Sequence, residues 1–371
     1  MRIAIFCHSL ISDWNHGNAH FLRGITEELI ARDHEVRVFE PRDAWSMTNL
    51  LRDQGPAAVA GFHSAYPRLS SVRFDERHLD LNEALDGADL VLVHEWNSHS
   101  LVKAIGRHRV RTGAYVLLFH DTHHRSVSDP DAMAAYELNG YDGVLAFGDV
   151  IRRHYLALGW SRRAWTWHEA ADTRRFHPQE GEPRAGDVVW IGNWGDDERS
   201  EEIRQYLVEP VRVLGLRALV HGVRYPDAAI EELGRAGIEY HGWLPNYAVP
   251  RVFARFTATV HIPRQPYVRM LPGIPTIRMF EALACAMPLV SCRWNDSEGL
   301  FSEGEDYIAV DSPEQMRAAL QNVFNDADLR RHLSDHALQT IQSRHTCGHR
   351  VDELLSIAAS IRPAIPGAVS A

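Results

Sequence analysis

The 371 residues carry 49 Asp and Glu against 39 Lys and Arg, a formal net charge of -10. That balance disfavours a nucleic-acid backbone or an anionic membrane as the main partner, since both are polyanions. A hydrophobic share of 45% and a charged share of 24% are those of an ordinary globular chain, here long enough for two domains.

The chain opens on an apolar strand, Arg2 to His8, too brief and too soon interrupted by polar residues to be a secretory signal. Ala19 to Ala31 has helical periodicity through Phe21, Leu22, Ile25, Leu29 and Ile30, and Glu35 to Phe39 is a second strand. Strand, helix, strand in that order is a βαβ unit, whose crossover favours a parallel sheet with helices on both faces. Asp89 to His94, Ala114 to His120 and Gly143 to Phe147 continue the series as apolar runs of the kind buried on both sides. After Ala170 the stretch DTRRFHPQEGEPRAGD loses apolar periodicity and gathers Pro, Gly and charge, which places the domain boundary there.

A second series follows, with strands at Val188 to Ile191, Ala218 to His221, Ile238 to Tyr240, Ala258 to Ile262 and Pro288 to Ser291. They alternate with helices near 199–214, 227–236, 247–255 and 275–286, and helical periodicity returns over Pro313 to Phe324 and Asp326 to Ala359. The expected architecture is α/β: two doubly wound, Rossmann-like domains, residues 1–170 and 171–345, with a closing helix at 346–361 returning to the first domain and a tail at 362–371. Ligands of such sheets gather at the carboxyl ends of the strands, so the cleft between the domains is the expected active site.

Cys7, Cys285, Cys292 and Cys347 are scattered without paired spacing, which fits reduced, intracellular thiols. No uncharged apolar run approaches membrane-spanning length, so the expected location is cytoplasmic, with no integral membrane segment.

The most informative segment is LPGIPTIRMFEALACAMPLVS, Leu271 to Ser291, a Gly and Pro loop running into a helix and then a strand. Pro275 suits a first helical turn, and free amides around Gly273, Ile274, Thr276 and Ile277 can face an anion such as a diphosphate. Arg278 and Glu281, three residues apart, share a helix face. An arginine there can meet phosphate oxygens and a carboxylate can accept from vicinal ribose hydroxyls, while the same spacing also serves a surface ion pair. VVWIGNWGDDERSEEI, from Val188, runs from a strand through a Gly turn containing Asn193 to a helix containing Arg199; purely structural use of that pattern is common.

This C-terminal pattern resembles the nucleotide-sugar-binding signature of GT-B glycosyltransferases, in which a glutamate at the Glu281 position holds the donor ribose. HGWLPNYAVPRVF, with Gly242 and Trp243, looks like the family's loop beside the nucleobase, and HTCGHRVDELL, from His345, its closing helix. The large retaining branch often has a second glutamate where this chain has Gly273. Its absence, with Arg278 three residues before Glu281, looks more like the bacterial branch related to spore maturation protein CgeB. The resemblance implies a donor site of Asn193, Arg199, Gly242, Trp243, Gly273, Ile274, Thr276, Ile277, Arg278 and Glu281. It also implies that the loop after the first strand, with His16, Gly17 and Asn18, approaches the transferred sugar and the acceptor.

In the N-terminal half, the strand end FHDTHHR offers His120 and Asp121 as catalytic candidates. By the resemblance His120 contacts the donor sugar, and Asp121 could accept the acceptor proton if the reaction inverts. Capping and core hydrogen bonds are the plain structural reading. Glu95, beside His94 and Trp96, is a second possible base, and His168 and Glu169 lie at the hinge. The His and Asp cluster lacks the HExxH or paired CxxC spacing of a metal centre, so no metal and no cofactor is expected.

The function implied is sugar transfer from a nucleoside diphosphate donor to a hydroxyl-bearing acceptor of unknown kind, without a metal. A nucleotide-sugar epimerase and a catalytically silent nucleotide-sugar-binding protein are the alternatives. The absence of GxGxxG after a strand and of GxxxxGK[ST] disfavours a dinucleotide dehydrogenase and a P-loop enzyme.

Overall fold

The computed structural model describes residues 1–361, and the expected tail at 362–371 lies outside them. Among the described residues the strands form two sheets. The first holds β1 (Arg2–Phe6), β2 (Glu35–Pro41), β3 (Ser71–Phe74), β4 (Leu90–His94), β5 (Val116–Asp121), β6 (Gly143–Ala146) and β7 (Ala164–Thr166). Their order is β3-β2-β1-β4-β5-β6-β7, every pair parallel. The second holds β8 (Val188–Ile191), β9 (Ala218–His221), β10 (Ile238–Tyr240), β11 (Ala258–His261), β12 (Leu289–Cys292) and β13 (Ile308–Val310). It runs β10-β9-β8-β11-β12-β13, again all parallel.

The two doubly wound domains are therefore those that the alternation of apolar runs and periodic helices implies. Strands β4, β5 and β6 are buried at every position, as continuous Val, Leu and Phe runs require when helices cover both faces. The strands with no counterpart in the sequence reading, β3, β7 and β13, are short edge strands only partly buried, so they carry no unbroken apolar run. Residues 167–187 connect the two sheets.

Two helices carry the junction between the domains. α1 (Ala19–Ala31) follows β1, and α2 (Ile277–Ala284) precedes β12. The periodic stretch from Asp326 to Ala359 is not one helix: α3 (Ala327–Arg344) ends, and α4 (Cys347–Ile361) begins after His345 and Thr346. The break has a hydrogen-bonding cause, because Ala171 N donates to His345 O at 2.9 Å and Cys347 N to Ala171 O at 3.0 Å. The connecting segment thus takes up backbone groups that a continuous helix would use internally. α4 then packs on α1, and Trp167 Nε1 donates to Arg350 O at 2.8 Å, so the chain does return to its first domain. No helix among the described residues is long and apolar enough to cross a membrane.

Candidate active site in the interdomain cleft

The carboxyl ends of both sheets open on one cleft of about 840 Å³. Its first wall is the loop after β1, held from two sides by buried side chains. Glu40, at the end of β2, accepts from Ser9 Oγ at 3.0 Å and Leu10 N at 2.7 Å. Arg23, projecting from α1, donates to Leu10 O, Ile11 O and Asp13 Oδ2 at 2.6–2.9 Å. These anchors fix a polar loop where a parallel sheet presents its ligand-binding edge. Asp13, Trp14, Asn15, His16, Gly17 and Asn18 all line the cleft, joined by Trp45, Trp96, Thr122, His123 and His124.

The second wall is cationic. Arg199 is half-buried, and its guanidinium donates to Ile262 O at 3.2 Å and Asn193 O at 2.5 Å while Nε has no partner. Burial first, and then the neighbouring Arg264 cation, lowers its pKa to about 10, so it remains charged at neutral pH. Arg264 pairs with Glu198 at 2.6 Å, and Arg278 pairs with Glu281. Thr276, Ile277 and Arg278 bring the first turn of α2 to the cleft, and no side chain caps that helix.

The walls are bonded to each other. Asp13 Oδ1 accepts from Trp243 Nε1 at 2.9 Å, and Asp13 Oδ2 from Asn246 N at 2.9 Å. Asn193 Nδ2 donates to Asn15, and Asp149 N donates to Glu298 Oε1 at 2.8 Å. Gly17 packs so near Ile277 that a Cβ there would stand 3.2 Å from its methyl group.

Several expected site residues lie elsewhere than the sequence reading put them. His120 and Asp121 are fully buried and line none of the cleft. β5 runs on through both, so the first residues to reach the cleft are Thr122, His123 and His124. His120 Nδ1 lies 3.2 Å from His94 Nε2, and Asp121 accepts from Tyr155 OH at 2.9 Å and His123 N at 3.2 Å. Burial, with Glu95 adding to it, raises the Asp121 pKa well above the carboxylate range. In this structure both are core groups, and the alternative base Glu95 is likewise sealed, paired with Arg125 at 3.0 Å.

Glu281 is also fully buried. It accepts from Asn246 Nδ2 at 2.6 Å and lies 3.3 Å from His20 Nδ1 of α1, while its partner Arg278 lines the cleft. Pro275 is outside the helix, which starts at Ile277 with Thr276 as its cap. The Gly273 amide is not free for an anion because it donates to Asn295 O at 2.6 Å. Ile274 turns away to pack on Gly148 of the first domain. Gly242 sits at φ +66 with its carbonyl taken by Gly222 N at 2.9 Å, so Trp243, not Gly242, reaches the cleft. Asn193, Arg199, Trp243, Thr276, Ile277, Arg278, His16, Gly17 and Asn18 do line it.

Glu169 also lines the cleft, where its Oε1 accepts from Asn18 Nδ2 at 3.1 Å. Burial pushes its pKa up to about 8, making it a neutral acid at pH 7. Asp13, Trp45, Asn246 and Arg264 are site residues that sequence reasoning missed; Asn246 sat inside a quoted motif and Asp13 in the loop after the first strand, but nothing in their spacing set them apart. Among the described residues no group of three or more His, Cys, Asp or Glu side chains is placed to hold a metal.

Residues 199–356 match the model of a family described as glycosyl transferase-like. No curated protein matches the sequence significantly. Among solved structures the chain is similar to sucrose-phosphate synthase from Thermosynechococcus elongatus at 13% identity and a TM-score of 0.66, covering 97% of this chain and 99% of that one. A glycosyltransferase from Rickettsia africae ESF-5 is similar at 12% identity and a TM-score of 0.67, covering 97% and 98%. HepE from Anabaena, solved in complex with UDP-glucose, is similar at 12% identity and a TM-score of 0.65, covering 96% and 100%. The family match thus covers residues 199–356, less than half of the chain, and the architecture shared over the full length is the GT-B fold of the glycosyltransferases it resembles.

Proposed function

We propose that this glycosyltransferase takes a sugar from a nucleoside diphosphate donor, of the UDP-sugar class, and passes it to a hydroxyl-bearing acceptor without a metal. The observation that carries the reading is Arg199, a half-buried cation on the cleft wall whose hydrogen bonds go only to backbone carbonyls. An unneutralised guanidinium beside Arg264 and Arg278 calls for a dianionic ligand. Together with the uncapped first turn of α2, these cations suit the diphosphate that leaves as the sugar departs. The UDP in HepE supports the choice of base.

The finer branch, the CgeB-like one, is supported by Arg278 three residues before Glu281 and by Gly273 where the retaining branch has a glutamate. A cytoplasmic setting is supported by four cysteines that are all free.

Calorimetric titration with UDP and UDP-glucose, paired with an assay of UDP release, tests the reading. Wild type should bind both in EDTA, and Arg199→Ala should weaken binding by about tenfold or more, the equivalent of about 1.5–3 kcal/mol for a charged hydrogen bond. Equal binding by the variant would remove the diphosphate from this wall. Loss of turnover in EDTA, restored by one cation, would remove metal independence. Donor conversion without an acceptor would indicate the epimerase, and binding without turnover the silent alternative.

A further inference from the structure

The wall facing the arginines has a different chemistry. Trp45, on the helix after β2, is 36% exposed at the cleft, and Trp96, after β4, lines the same wall. His8 backs Trp45, with ring centroids 4.6 Å apart, and the Arg125 guanidinium covers Trp96 at 4.2 Å. The two indoles lie 6.5 Å apart, and Trp14 meets Trp45 edge-on at 6.2 Å. Both rings are thus fixed from behind. Among the described residues neither indole N–H meets an acceptor, whereas that of Trp14 is taken by Asp53 at 2.9 Å.

Among the described residues no unpaired cation lies over either ring: Arg125, over Trp96, is held by Glu95, and the charge acting on His8 behind Trp45 is Asp43, an anion. A phosphorylated or carboxylated acceptor would find nothing to pair with here and would be drawn instead to the arginine wall. Paired indole surfaces with spare N–H donors match the alternation of C–H faces and hydroxyls on a pyranose ring.

We infer that this wall is the acceptor subsite and that the acceptor is a neutral saccharide whose ring lies against Trp45 and Trp96. The inference rests on the donor reading above, since it takes the opposite wall as occupied by the nucleotide. Its test is saturation-transfer NMR of the full chain, with and without saturating UDP. The probes are methyl glycosides of glucose, galactose, mannose and N-acetylglucosamine, with cellobiose and lactose, set against hexose phosphates and a short serine peptide. At least one neutral glycoside should give signal, with affinity reduced about tenfold in Trp45→Ala and Trp96→Ala and largely kept in Trp45→Tyr. UDP affinity should stay within about twofold throughout, with a thermal melt to show that each variant is folded. Signal only from phosphates or peptide, no signal at all, or glycoside binding unchanged in both alanine variants would overturn it. Failure of UDP to bind wild type would count against the donor reading alone, because the glycosides are also tested without it.

Discussion

Glu281 shows how a residue can be found by its spacing and still be misplaced by it. The three-residue interval to Arg278 correctly joins the two side chains, but it cannot say which face of α2 is covered, and this helix is buried along nearly all its length. Burial raises the Glu281 pKa while Arg278 and Asn246 oppose that shift. The carboxylate therefore holds a cleft arginine and a cleft asparagine, and a ribose contact is a separate claim. The two roles separate in titrations with UDP and with its deoxyribose analogue. If Glu281 meets the ribose, wild type should prefer UDP by about tenfold, and Glu281→Gln should erase that preference. If it only positions Arg278, both nucleotides should weaken in parallel. His120 and Asp121 carry the same lesson: an apolar run marks the strand, but the last residue inside the sheet is set by pairing with β6, which the run does not reveal.

At the scale of elements the sequence was most legible where burial is two-sided. α1 has the bounds that its periodicity predicts, and β8 and β9 begin and end where their apolar runs do, as does the edge strand β10. The edge strands β3, β7 and β13 were not legible because they are too short and too exposed to carry an apolar run, and the division between α3 and α4 was not because it depends on Ala171, far away in the chain. Gly24 marks where that division matters, since a Cβ added there would collide with Cys347 Sγ at the start of α4 and stand 2.8 Å from Asp172 Cβ. Gly24→Ala should gain about 1 kcal/mol of helix propensity in α1. Overpacking a fully buried crossing costs about 1–3 kcal/mol, so the crossing should win and the variant should melt lower than wild type. An unchanged or higher melting temperature would mean that α1 and α4 are less tightly docked than the structure has them.

The whole molecule should answer to acid through its buried histidines. Burial lowers His20, His94, His261 and His345 to about 3 from an ordinary 6.5. Between those values the unfolded chain holds protons that the native one refuses, so the stability these groups contribute is full above pH 6.5 and is lost as pH falls toward 3. Buried carboxyls act in the opposite direction: Glu169 is pushed up to about 8 and Asp172 to about 6, so the native state holds protons the unfolded chain has released. Each group contributes at most about 1.4 kcal/mol per pH unit. The lowered histidines, which include His8 and His221 at about 4, outnumber the raised carboxyls, so the net effect is a loss of stability as pH falls from 6 to 5. Below about 4.5 the unfolded carboxyls also protonate, their opposition ends and the fall steepens. Set against a typical native stability of about 5–15 kcal/mol, a loss of this sign is large enough for the protein to weaken markedly in acid. Circular dichroism melts across a pH series should therefore show a melting temperature that drops steeply below pH 6. A curve that stays flat from pH 7 to 4 would mean that these imidazoles are hydrated and free to titrate in the native state.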